Sequence, residues 1–175
     1  MSSCRHLVVM GVSGSGKTTV ATALADELGL QMIEGDEFHP PANVEKMAAG
    51  IPLTDEDRRP WLQTLGKLLA DHHARGQGTV LACSALKRAY RDVLRSAVPP
   101  EETFIIELDA DPATLRQRMA SRTGHFMPAT LLESQLETLE HLEDDERGVI
   151  VDANRPAETV TADAWAAVEA FLRGD

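Results

Sequence analysis

The chain is poor in the residues that would place it in several large protein classes. Two cysteines, Cys4 and Cys83, occur in 175 residues, one near the N-terminus and one inside an apolar run. That supply suits neither a disulfide framework nor a cysteine-ligated metal site, and it fits a reduced protein of the cytosol. Basic residues are scarce as well: 17 Lys plus Arg stand against 28 Asp plus Glu, a net charge of −11. A surface of that sign repels polyanions, so nucleic acid is not an expected partner. Nowhere do about 18 apolar residues follow one another, and no apolar leader opens the chain, so a soluble, unexported, cytoplasmic protein with no membrane partner is expected. Repeats, low-complexity tracts and linkers are missing too. What remains is a single domain spanning 1–175, long enough to bury roughly two thirds of its unfolded surface without staples.

The strongest positive signal is Gly11-Val12-Ser13-Gly14-Ser15-Gly16-Lys17-Thr18, which spells the phosphate-binding loop G-x-x-x-x-G-K-[ST]. Such a loop works only between a buried strand and a helix, where backbone N–H groups and a helix N-terminus converge on phosphate oxygens. Leu7 to Met10 is an apolar run of strand type, and Thr18 to Leu28 carries a helical stripe of Val20, Leu24, Ala25 and Leu28 before Gly29. Lys17 would add a point charge for the outer phosphates, and Thr18 would ligate magnesium.

Strand and helix patterns alternate through the rest of the chain. Strands are predicted at Gln31–Glu34, Thr79–Cys83, Thr103–Leu108 and Val149–Val151. Helices are predicted near Asn43–Ala49 and at Trp61–His73, Leu86–Ala97, from Asp111-Pro112 onward, Leu131–Leu142 and Val160–Leu172. The helix at Trp61 has a blurred start, because Pro60 follows a possible capping box, Thr54 to Asp57. This order predicts an α/β fold of three layers: a five-stranded, mainly parallel sheet with helices on both faces, joined by right-handed crossovers.

A phosphate loop establishes nucleotide binding rather than a reaction, so the acceptor side must lie elsewhere. Asp36 follows a strand end, the edge where open α/β sheets bind ligands, and could accept a hydroxyl proton or hold a magnesium-bound water. A turn aspartate is the plain alternative. Asn43, Lys46 and Gly50 would share one side of a helix, either as a polar acceptor face or as a solvated surface. Lys87 and Arg91, four apart with Tyr90 beside them, form a basic cluster that suits an anionic group, or else ordinary surface charge. Arg118 and Arg122 lead into Thr123-Gly124-His125-Phe126-Met127-Pro128, the composition of a closing lid, approximately 118–130, that would bring arginines over the phosphates. His39 and His125 gain weight from such neighbours; His6, His72, His73 and His141 read as surface or helix-face residues.

Taken together, these blocks resemble the bacterial-type gluconokinases, P-loop sugar-acid kinases related in fold to shikimate and nucleoside monophosphate kinases. The resemblance runs nearly end to end. It rests on Met10 to Lys17, Gly35-Asp36 through His39-Pro40, Asn43 through Lys46-Met47, Leu53-Thr54-Asp55 through Asp57-Arg58 with Pro60-Trp61-Leu62, Cys83 to Lys87 with Tyr90-Arg91, and Gly124-His125-Phe126. It implies transfer of the γ-phosphoryl group of ATP to the 6-hydroxyl of D-gluconate, with magnesium, and it admits a homodimer. Lys17, Asp36 and Arg122 would then be catalytic. ATP would meet Gly11, Val12, Ser13, Gly14, Ser15, Gly16, Lys17, Thr18, Thr19, Arg118 and Arg122, with Asn154, Arg155 and Pro156 against the adenine. Gluconate would meet Asp36, His39, Asn43, Lys46, Arg58, Lys87, Arg91, His125 and Gln135. Another small-molecule kinase of the shikimate kinase type, or a catalytically silent nucleotide-binding regulator, are the rival readings.

Overall fold

The computed structural model describes residues 5–121 and 128–174. Five strands, β1 (His6–Met10), β2 (Gln31–Glu34), β3 (Thr79–Ala82), β4 (Thr103–Asp109) and β5 (Gly148–Asp152), form one sheet in the order β2-β3-β1-β4-β5. Every pairing is parallel. β1 lies at the centre, and Leu7, Val8, Val9 and Met10 are all completely buried, as a strand covered on both faces requires.

Seven α-helices are described: α1 (Lys17–Leu28), α2 (Pro41–Ala48), α3 (Asp55–Ala74), α4 (Arg88–Arg95), α5 (Pro112–Ser121), α6 (Ala129–Thr138) and α7 (Ala157–Arg173). α1 packs beside α7 and α3 beside α4. Since the strand order reverses after β2, right-handed crossovers put these two pairs on opposite faces of the sheet.

Two helices differ from their predicted extent in ways that shape the site. α3 begins at Asp55, not at Trp61, because the Thr54–Asp57 capping box forms in full: Thr54 Oγ1 accepts from the Asp57 N–H at 3.1 Å and Asp57 Oδ2 from the Thr54 N–H at 2.9 Å. Pro60 then sits inside the helix, and the cap outweighs the hydrogen bond it removes. The extra turn brings Arg58 onto the face of Trp61, three residues on. α4 is shorter than predicted, and Lys87 is its extended N-cap at φ −105°, ψ 150°. Lys87 and Arg91 therefore do not share a helix face.

Candidate active site

β1 ends at the switch point of the sheet, with β3 on one side and β4 on the other, and the glycine loop leaves from there. Gly16 takes φ 97°, a left-handed conformation with no atom within 4 Å of the place a Cβ would occupy. The turn itself demands glycine there. α1 starts with no capping side chain and no acid in its first turn, so its positive end is kept for an anion. Ser15 Oγ is buried with no hydrogen-bond partner among the described residues, an orphaned polar atom inside the loop that suits a phosphate cradle. Lys17 Nζ donates to the Val12 carbonyl at 3.1 Å, and the Ser13 N–H donates to Gln135 Oε1 at 2.8 Å, tying the loop to α6.

Thr18 Oγ1 donates to Glu34 Oε2 at 2.6 Å. With its hydrogen spent on that carboxylate, the hydroxyl keeps oxygen lone pairs for a hard cation, so this pair fits magnesium. On the other side of the loop, Arg118 Nη2 donates to the Ala153 carbonyl at 2.6 Å and the Arg155 carbonyl at 3.3 Å, and Nη1 to Gly14 at 3.5 Å. Asn154 Oδ1 accepts from the Asp111 N–H at 2.7 Å, while Asn154 Nδ2 donates to Asp152 Oδ1 at 2.9 Å. Arg118 thus braces the phosphate loop against the 153–155 turn.

A cavity of about 420 Å³ opens beside Lys17, with Asp36, His39, Arg58, Ser84 and Gln135 among its polar lining residues. Gly35 lets the chain pass hard against β3: a Cβ there would stand 2.7 Å from the Ala82 carbonyl. Trp61 Nε1 donates to the Gly35 carbonyl at 2.8 Å and fixes the turn that carries Asp36. His39 stacks on the Trp61 ring at 4.1 Å between centroids and 17° between planes. Burial holds the His39 imidazole below its usual pKa; Asp36 opposes this and Arg58 adds to it, so the ring is neutral at pH 7.

Arg58 is buried, and its Nη1 donates to the Leu53 carbonyl at 2.8 Å and to the Tyr90 hydroxyl at 3.1 Å. Its Nε and Nη2 have no hydrogen bond among the described residues, leaving a cationic edge for an anion. The Tyr90 hydroxyl in turn donates to Asp55. Ser84 opens a turn in which Ala85 takes φ 44°, uncommon for a residue other than glycine. Cys83 just before it is no nucleophile, since burial pushes its thiol up to about 12. A loop for phosphates, an ammonium, a carboxylate and a buried guanidinium thus meet on one cavity, which suits movement of a phosphoryl group to a polar acceptor.

Residues 7–142 match the AAA domain family. The chain is 53% identical to a gluconokinase of Gluconobacter oxydans over 156 residues, 89% of this chain and 86% of that protein. A crystal structure of a gluconokinase from Sinorhizobium meliloti is 44% identical with a TM-score of 0.89, covering 99% of this chain and 97% of that one. The chain belongs to the gluconokinase family. A sugar kinase structure from Janibacter, 50% identical with a TM-score of 0.90 over 95% of both chains, shares the fold. The three-layer P-loop kinase architecture expected from the sequence is therefore the observed one.

Within this gluconokinase-family site, the structure brings Lys17, Asp36, His39, Arg58 and Gln135 to one cavity. It corrects four other expectations. Arg91 does not reach the cavity: its side chain is completely buried, pairs with Glu146 at 2.7 Å and donates to the Ala85 and Glu140 carbonyls at 3.0 and 2.9 Å. It clamps the Ser84–Leu86 turn from behind. Burial pushes the Glu146 carboxyl up, but hydrogen bonds from Arg91, the Glu143 N–H and Arg95 outweigh it and hold the group at about 2. Lys87 pairs with Asp55 at 3.1 Å and Lys46 with Asp57 at 2.8 Å, and neither is among the residues lining the cavity. Asn43 is also absent from the cavity lining, and its Nδ2 lies against His39 Nδ1 and the Asp57 carbonyl. Arg122 and His125 lie outside the described residues. The residues missed by sequence reasoning are Glu34, Trp61 and Ser84; the signal for Glu34 was its place two residues before Asp36 on the same strand end.

Proposed function

We propose that this chain transfers the γ-phosphoryl group of ATP to the 6-hydroxyl of D-gluconate, giving 6-phosphogluconate and ADP in the cytoplasm. The observation that carries this reading is one cavity lined by both Lys17 of the phosphate loop and Asp36, in a member of the gluconokinase family. The loop from Gly11 to Thr18, with Thr19, holds the phosphates, and the Asn154–Pro156 turn meets the adenine. Arg118 holds that turn and the loop in register. Lys17 stabilises charge on the transferring oxygens. Asp36 accepts the hydroxyl proton and turns the oxygen toward phosphorus. Arg58 reads the carboxylate of the open-chain acid. Arg122 and His125 are assigned to the phosphates and to the acceptor by the family resemblance alone. Magnesium, when bound by Thr18 with Glu34 behind it, supplies charge neutralisation on the β- and γ-phosphates.

The test is turnover of a sugar-acid panel by purified protein with ATP and magnesium. Gluconate should be the preferred acceptor, and Asp36→Asn should cut turnover by roughly 10²–10⁴-fold while calorimetric ATP affinity stays unchanged. ATP binding without turnover of any acid would support the silent regulator instead.

A further inference from the structure

Asn43 is 3% exposed, and its carboxamide is buried behind the cavity. Its Nδ2 lies 2.9 Å from the Asp57 carbonyl and 3.2 Å from His39 Nδ1. A backbone carbonyl only accepts, so the amide nitrogen rather than its oxygen must face Asp57. One hydrogen of that NH2 group goes to Asp57, and the other points at His39 Nδ1. Nδ1 is then the acceptor, and a neutral ring with Nδ1 bare carries its hydrogen on Nε2. No described residue takes that Nε2–H, while the ring lines the cavity. Trp61 fixes the ring plane by stacking, and is itself tied to Gly35 at 2.8 Å.

We propose that Asn43 is a positioning residue that locks His39 as the neutral Nε2–H tautomer, so that His39 offers the acceptor sugar acid a hydrogen-bond donor and no acceptor. This rests on reading the cavity as the gluconate site. The consequence is a division of labour between the two groups. Asp36 can only accept and His39 can only donate, so a hydroxyl that reaches both must give its hydrogen to Asp36 and receive one from His39. That polarity orients the hydroxyl before any proton moves, and it disfavours an ammonium in the same place, which has no lone pair for the Nε2–H.

The wild-type protein itself provides the first measurement. Long-range ¹H–¹⁵N imidazole spectra at neutral pH, with His39 assigned by the signals lost in His39→Gln, should show a bare Nδ1 and a protonated Nε2. In Asn43→Asp the carboxylate can only accept, so His39 should move to the Nδ1–H form or to imidazolium. In the Nδ1–H form, which leaves Nε2 bare, the gluconate KM should rise roughly ten- to a hundredfold, the effect of mispairing a buried hydrogen bond, whereas an imidazolium keeps its Nε2–H and should hold the KM near wild type. ATP affinity should be unchanged and a cooperative melt retained in either case. A wild-type His39 found as Nδ1–H or as imidazolium overturns the lock, whether or not the variant folds. So does a switched tautomer that leaves the gluconate KM within about twofold, since the tautomer would then carry no binding energy. An Nε2–H tautomer in a protein that turns over no sugar acid removes the acceptor role, and marks the failure as belonging to the functional reading of the cavity.

Discussion

At the phosphate end of the cavity the chain from Gly11 to Thr18 makes the whole loop, and its backbone conformation and helix end do most of the binding. At the acceptor end, Asp36 with His39, Arg58, Ser84 and Gln135 arrive from four separate stretches, three of them held by partners remote in sequence: Trp61 on Gly35, Tyr90 on Arg58, Ser13 on Gln135. The first region is a local device whose geometry is written in consecutive residues. The second depends on buried hydrogen bonds between elements, so the residues that hold it matter as much as those that line it.

The sharpest way to break this contrast is Arg91→Ala. Truncation strips the buried Glu146 carboxylate of its two hydrogen bonds from Arg91 and leaves it Arg95 and the Glu143 N–H, which costs up to about 3–5 kcal/mol of stability, read as a large drop in the urea midpoint. A residue that bound substrate would instead raise the gluconate KM and spare the midpoint. Lys17→Ala should act in the opposite manner, losing about 3–4 kcal/mol of transition-state stabilisation while the melting curve stays in place. Near-normal turnover would remove Lys17 from the chemistry.

The smallest effects separate Arg58 from Lys87, two of the cations that the resemblance assigns to gluconate, which differ in their reach to the cavity. Arg58→Ala should raise the gluconate KM roughly ten- to a hundredfold and erase discrimination against an uncharged polyol of equal length, the worth of a charge-assisted hydrogen bond of ~1.5–3 kcal/mol. Lys87→Ala removes an ion pair in which Lys87 is 32% and Asp55 58% exposed, a contact worth about 0–1 kcal/mol. Its gluconate KM should stay within roughly threefold of wild type. Equal discrimination by both variants and wild type would leave the carboxylate reader unassigned.

The expectations that failed share a cause. Lys87 and Arg91 look equivalent in sequence, yet α4 begins between them, so one points to Asp55 and the other into the core. Asn43 and Lys46 form the polar helix face their spacing predicts, but that face docks on residue 57 of α3. Spacing tells which side chains lie together on one element, not what that element is packed against.

The sequence by itself determined the alternating strands and helices, the phosphate loop between β1 and α1, and the family, because hydrophobic period, turn glycines and motif blocks are local properties of the chain. The tertiary structure alone decided which polar side chains face the cavity and which are spent holding it. Arg58 and Arg91 are both buried arginines on helices; one keeps donors turned to the cavity, while the other is saturated by Glu146 and backbone carbonyls. That division is set by where α3, α4 and the 139–147 segment meet, and a buried charge goes wherever the packed fold supplies its partners.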